Sequence, residues 1–266
     1  MELLRLIVDR KPTPGSLNMA IDEALMESYS ELGMPTLRFY KWKTPCLSIG
    51  KFQKISEIDI DFLNVNGIEL VRRPTGGKAV LHHEEITYSV VMPFEFFEKK
   101  EVINTYQKIA LALRKGLEIL GIQTNLSKNK SHVENSFRSA CFSVPSIYEI
   151  TVDGKKLIGS AQVRNKNVIL QHGSLPFKLD IDTYSQCFNL SDEARFKLKR
   201  ILESKTITLN QLDSEINEKD LMESIVKGFE EIFSLSVFYG DYSDIEVKRA
   251  GVLRNKYESK EWTFKR

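Results

Sequence analysis

Residues 71–83 read VRRPTGGKAVLHH. The segments on either side, IELVRR (68–73) and ITYSVVM (86–92), have the β-branched texture of strands, so the stretch is a basic, glycine-bearing connection within a sheet. TGGK invites comparison with a phosphate-binding P-loop. That motif would put its first glycine where Arg72 stands and a Ser or Thr where Ala79 stands, so the comparison fails twice. Gly76 and Gly77 still let backbone come close to a ligand and expose N–H donors, beside arginines suited to a carboxylate or phosphate. A basic turn between strands explains the same residues. His82 and His83 are adjacent, and neighbours in a strand point to opposite faces, so at most one faces a pocket and no shared metal is expected.

Outward from this stretch, PGSLNMAIDEALMESYSELG (14–33) reads as an amphipathic helix with Ser16 as its N-cap and Gly33 past its end. Leu17, Ala20, Ile21, Ala24 and Leu25 form its apolar face. TLRFYKW and CLSIG are short strands split by a turn at Pro45, and EVINTYQKIALALRKGLEILG (101–121) is a helix closed by Gly121. IYEITVDGKKLIGSAQV (147–163) is a hairpin whose Asp153-Gly154 pair suits a type I′ turn, and NVILQHGSLPF (167–177) adds a third strand. From about residue 190 the texture is helical and charged. Strands and helices do not alternate as βαβ units, which predicts an α+β fold with a mixed, largely antiparallel sheet flanked by helices. The expected organisation is a core over 1–190 and a helical part over 191–266 packed on the same domain.

The bulk numbers exclude several classes. The 266 residues suit one large domain. A net charge of +2 makes no case for nucleic acid or a membrane surface. No apolar run approaches the roughly 20 residues of a bilayer span, and the N-terminal stretch lacks a secretory apolar core. Cys46, Cys141 and Cys187 are odd in number and far apart, which argues against disulfides or a zinc knuckle and for a reduced cytoplasmic protein.

Two further clusters carry polar chemistry. In SACFSVPSIYEITVDGKKLIGSAQ (139–162), Cys141 is either a small core residue or a nucleophile. Lys155 and Lys156 alternate faces, and Lys156 shares parity with Ile158 and Ser160. An inward lysine beside a thiol would lower its pKa. In LQHGSLPF (170–177), His172 is either a general base or a satisfied core histidine.

Taken together, RRPTGGKAVLHHEEITYS and DGKKLIGSAQVRNKNVILQHGSL resemble the catalytic domain of lipoate-protein ligases and lipoyl/octanoyl transferases, a family that shares its fold with biotin-protein ligases. The family pattern is Arg-Arg-x-Ser/Thr-Gly-Gly with a histidine seven residues after the Ser/Thr, here Thr75 and His82. Lys-x-x-Gly-Ser-Ala follows, here Lys156 to Ala161, and then Gln-His-Gly. KYESKEWTF near residue 260 also looks familial, and the resemblance covers roughly 1–257.

The family holds two chemistries: ATP-dependent ligases and nucleotide-free octanoyltransferases. ACFSVPSIYEI resembles the active-site segment of the octanoyltransferases of Gram-positive-type lipoate assembly, where a cysteine precedes the lysine by fifteen residues, as Cys141 precedes Lys156. Lys78 replaces a glycine common in ligases. The resemblance therefore implies an octanoyltransferase without metal or cofactor. Octanoate would pass from octanoyl-acyl-carrier protein through a Cys141 thioester to the lysine of a lipoyl domain, such as the glycine-cleavage H protein. Cys141 and Lys156 would be catalytic. Arg73, Thr75, Gly76, Gly77, His82, Gly159, Ser160, Ala161 and His172 would line the substrate site. Arg72, Lys78, Arg138 or Lys155 would steer an acidic carrier. The competing readings are an ATP-dependent lipoate-protein ligase, a non-catalytic carrier-binding module, and a Cys141–His172 amide hydrolase.

Overall fold

The computed structural model describes residues 2–127 and 148–266. The elements run β1 (Glu2–Val8), α1 (Gly15–Leu32), β2 (Thr36–Tyr40), β3 (Cys46–Ile49), α2 (Ile60–Val65), β4 (Glu69–Arg72), β5 (Val80–His82), β6 (Glu85–Pro93), α3 (Val102–Ile119), β7 (Asn125–Leu126), β8 (Ile150–Val152), β9 (Lys155–Asn165) and β10 (Val168–Pro176). They continue α4 (Ile181–Gln186), α5 (Asp192–Lys205), α6 (Leu209–Leu212), α7 (Glu218–Phe233), β11 (Leu235–Tyr239), α8 (Asp244–Glu258) and α9 (Lys260–Thr263). The large sheet has the order β11-β1-β2-β6-β10-β9-β8-β7 and the small one β4-β3-β5. β1 pairs in parallel with β11 and β2, and β3 with β4; every other ladder is antiparallel. The expected mixed, largely antiparallel α+β sheet is therefore the one found.

The main core fills the space between the large sheet and the α3–α7 pair, with Leu4, Leu37, Val90, Ile109, Leu113, Ile225 and Phe229 at its centre. α3 and α7 cross backbone to backbone, because a Cβ on Gly228 would sit 2.2 Å from the Ala112 carbonyl and one on Gly116 would meet Ile225 at 2.7 Å. The opposite face of the sheet takes α1, whose Leu25 and Met26 pack on Val91, Val168 and Leu170. A separate core lies under the small sheet, where Leu198 and Leu202 of α5 meet Leu47, Ile49 and Leu63.

Two local expectations need correction. Ser16 does not cap α1. The helix begins at Gly15, whose N–H donates to Glu69 Oε2 at 2.8 Å, so a carboxylate from β4 supplies the cap. The C-terminal part is not helical throughout, since Leu235–Tyr239 pairs with β1 at the sheet edge. At the hairpin, Asp153 and Gly154 both have positive φ, as a type I′ turn requires. None of the described helices is long and apolar enough to cross a membrane.

Candidate active site

β3, β5, β6, β9, β10 and α1 converge on a narrow cleft with about 430 Å3 of empty space. Arg73, Gly77, His82, Gly159, Ser160, Ala161 and His172 lie on its wall, so three clusters separated by up to a hundred residues meet there. Thr75 is buried just behind the wall. β9 and β10 approach closely at this point. A Cβ on Gly173 would come within 2.7 Å of Ser160 Oγ, the Gly159 carbonyl and the Tyr88 ring.

Two hydroxyl–imidazole–carboxylate chains run through the site. In one, Thr75 Oγ1 lies 2.7 Å from His172 Nε2, and His172 Nδ1 lies 3.0 Å from Asp22 Oδ2. In the other, Ser48 Oγ lies 2.8 Å from His82 Nε2, and His82 Nδ1 lies 2.8 Å from Glu85 Oε1. Burial pushes the Asp22 and Glu85 carboxyls up, but hydrogen bonds and positive charge around them leave both below their ordinary values. For Asp22 these come from His172 and Arg38; for Glu85 from His82, Ser174 and Thr87. Both are carboxylates at neutral pH, so each facing Nδ1 carries the proton. Burial lowers the His172 pKa against the pull of Asp22, which keeps the ring neutral. Its Nε2 therefore accepts, and the Thr75 hydroxyl donates to it.

Arg73 ties the two chains together. Its Nε donates to Thr75 Oγ1 (3.1 Å) and its Nη1 to the Ser48 carbonyl (2.9 Å) and hydroxyl (3.3 Å). Its Nη2 holds the carbonyls of Gly76 (2.8 Å) and Lys78 (2.7 Å). This arginine shapes the glycine turn from within. The turn closes over it at Gly77, which has φ +92° and no room for a Cβ, since Arg73 Nη2 would be 2.7 Å away. Gly76 has open space where a Cβ would be and does not line the cleft.

Arg72 corrects a further expectation. It is fully buried, and its donors go to the carbonyls of Thr263, Gly50 and Gln53 at 2.7–3.0 Å. It fastens α9 to the loop after β3 and cannot meet a partner at the surface. Lys78 and Lys155 are half-exposed.

His82 faces the cleft and stacks on Trp42 at 4.0 Å between centroids, while His83 is exposed. Ser160 is fixed by the Tyr88 hydroxyl at 2.8 Å, which in turn accepts from Gln171. Lys156 is fully buried, outside the cleft wall, and its Nζ lies 2.6 Å from Glu149 Oε1. Cys141 and Arg138 lie outside the described residues. Cys46 and Cys187 are buried thiols, and burial pushes the first well up and the second to about 12.

Asp22, Ser48, Glu85, Tyr88 and Glu149 escaped the sequence reading. Signals for some of them existed. Asn18 and Asp22 are a polar i,i+4 pair on the buried side of α1. Glu85, Thr87 and Ser89 alternate as a polar row along an otherwise apolar, fully buried strand.

The description "Lipoyl protein ligase A/B catalytic domain" matches residues 14–230, and the chain belongs to that family. Curated relatives narrow the class. The chain is 40% identical over 272 residues to octanoyltransferase LipM of Geobacillus kaustophilus, covering 97% of each chain. It is 38% identical over 273 residues to octanoyltransferase LipM of Carboxydothermus hydrogenoformans, covering all of both. It is an enzyme of this kind, an acyltransferase of lipoate biosynthesis. Solved structures share the fold. A putative lipoate protein ligase from T. acidophilum with bound lipoic acid gives a TM-score of 0.81 at 24% identity, over 99% of this chain and 100% of that one. A lipoate-protein ligase A bound with ATP gives 0.81 at 24%, over 99% of each.

Proposed function

We propose that the chain moves octanoate from octanoyl-acyl-carrier protein to the lysine of a lipoyl domain, such as the glycine-cleavage H protein, through a thioester on Cys141. The observation that carries this reading is the narrow cleft, walled largely by apolar atoms. A narrow slot suits an unbranched acyl chain, and full-length similarity to octanoyltransferases names the same group.

The Cys141 thiolate attacks the thioester carbonyl. A tetrahedral oxyanion forms and collapses, the carrier thiolate leaves, and octanoate stays on sulfur. Lys156, held beside Glu149, supplies the positive charge that favours the thiolate and the proton that the leaving thiolate takes. The neutral amine of the acceptor lysine then attacks the acyl-enzyme, passes a proton to the Lys156 amine left by the first step, and becomes an amide while the Cys141 thiolate is released. A thioester is the more reactive bond, so no nucleotide enters. Arg73, Gly77, His82, Gly159, Ser160, Ala161 and His172 form the acyl and pantetheine surface, with Thr75 supporting His172 from behind and Gly76 completing the turn.

Intact mass after mixing with octanoyl-carrier is the test. The expected gain is one octanoyl unit, about 126 Da, labile to hydroxylamine. Cys141→Ala removes the adduct and the transfer; Cys46→Ala and Cys187→Ala, at buried thiols, keep both. A wild-type enzyme that transfers octanoate without an adduct ends the covalent reading.

A further inference from the structure

The loop after β3 carries a feature that the transfer chemistry does not use. Phe52 is 62% exposed, a large aromatic side chain at the surface. Two cations lean on it, Lys51 at 5.8 Å and Arg266 at 5.4 Å from its ring centre. Lys265 sits 3.3 Å over the Trp262 ring next to them. Among the described residues, no carboxylate pairs with Lys51, Lys265 or Arg266. Partial burial and then the charges of Arg72, Lys51, Lys256 and Arg266 bring the Lys265 ammonium down to about 8. Like charges this close repel, and on a chain of net charge only +2 they form a local concentration.

The backbone of the patch is pinned by hydrogen bonds and adjoins the cleft wall at Gly77. Arg72 clamps the Gly50 and Gln53 carbonyls on one side and Thr263 on the other, the Ile55 N–H donates to the Arg266 carbonyl, and the Trp262 indole donates to the Arg72 carbonyl. The Lys51 N–H donates to the Thr75 carbonyl at 2.8 Å, and Gly50 presses on the Gly77 carbonyl. Gly77 itself lines the cleft.

We infer that Lys51, Phe52, Lys265 and Arg266 dock the acyl donor: an acidic carrier whose prosthetic arm begins at a phosphodiester, with the arm entering the cleft past Gly77. This rests on the transferase reading above. Charge decides between the two protein substrates. The donor presents a phosphate and acidic side chains, which the guanidinium and ammonium groups neutralise. The acceptor must bring in a lysine, which this patch repels. Phe52 supplies the apolar centre that a charged rim surrounds in a protein interface.

The experiment compares the wild type with Lys51→Glu/Lys265→Glu, with folding checked by thermal unfolding. Three substrates are varied in turn: octanoyl-carrier, octanoyl-pantetheine without a carrier, and the lipoyl-domain acceptor. The expected result is a KM for octanoyl-carrier raised at least about tenfold at low salt, with the gap shrinking at high salt. The rate with octanoyl-pantetheine and the KM for the acceptor stay unchanged. An unchanged carrier KM overturns the docking surface, as does a raised acceptor KM or an equal loss with octanoyl-pantetheine. A wild-type enzyme that takes no octanoyl group from the carrier overturns the transferase reading itself, a separate result from a normal wild type with an indifferent variant.

Discussion

His172 is a neutral ring sealed between Asp22 and Thr75. Its folded pKa lies below the ordinary imidazole value of 6.5 because burial penalises the charged form. As pH falls below about 6.5, the unfolded chain binds a proton that the folded chain refuses. Stability is therefore full above that pH and declines as pH drops toward the lowered folded pKa, by at most about 1.4 kcal/mol per pH unit. Asp22 and Glu85 are depressed carboxyls, so their contribution is lost only at lower pH, below their ordinary 3.8 and 4.5. Urea unfolding at about pH 7.5 and about pH 5.5 should show the decline in wild type and a smaller one in His172→Gln; equal slopes would reject it. Lys156 gives a second residue-scale prediction. Replacing Glu149 by Ala removes a carboxylate 2.6 Å from a fully buried ammonium. It should cost about 3–5 kcal/mol, whereas Lys156→Met/Glu149→Gln should cost less; chemical denaturation of both decides. The inward parity of Lys156 was legible because strand alternation is local. Asp22 as the partner of His172 was not, since the two stand 150 positions apart in sequence and meet only when α1 lies across β10.

The glycine turn shows how an element can be legible in kind and opaque in detail. The sequence marks Gly76-Gly77 as a pair, but only Gly77 has the positive φ and the Arg73 side chain against it. Gly77→Ala must therefore strain the backbone or displace the guanidinium that holds Ser48, Thr75 and the Gly76 and Lys78 carbonyls. It should slow enzyme acylation at least about tenfold, the size of effect that small misplacements in a site produce. Gly76→Ala, with open space for its Cβ, should react at nearly the wild-type rate; equal rates for the two would show that the turn geometry is irrelevant. The α3–α7 crossing makes a similar contrast. Gly228→Ala drives a methyl into the backbone of α3 and should destabilise by about 1–3 kcal/mol. Gly251→Ala on α8 meets nothing and should be neutral or stabilising by up to about 1 kcal/mol. Urea midpoints separate them. The periodicity of α3 and α7 reads plainly from their apolar positions, while their closeness depends on a glycine in each. β11 is harder to see, because its five edge residues grade from buried Leu235 to exposed Phe238 and Tyr239 without alternation.

At the scale of the whole molecule, the same framework is found in relatives named octanoyltransferases and in structures of lipoate-protein ligases, one of them bound with ATP. The fold therefore cannot decide the donor, and the difference has to lie in side chains. A ligase must hold a nucleotide and activate a free acid; a transferase needs only a nucleophile that accepts an acyl group already activated as a thioester. In this chain the arginine of the turn is engaged with protein carbonyls and hydroxyls, and the family resemblance in the sequence puts Lys78 where a glycine is expected in a ligase. A long side chain at that position is expected to crowd an adenylate lying against the turn. The expected outcome is modification of an apo lipoyl domain by octanoyl-carrier without nucleotide, and little or none from free lipoate with ATP and magnesium. Mass measurement on the acceptor with each donor in turn reads the result. Loss of carrier-dependent transfer in Cys141→Ala would accompany it. Strong ATP-dependent lipoylation that survives Cys141→Ala would make the enzyme a ligase. Activity with both donors would mean that Lys78 does not exclude the nucleotide, and that a nucleophilic cysteine has been added to a pocket still able to form an adenylate.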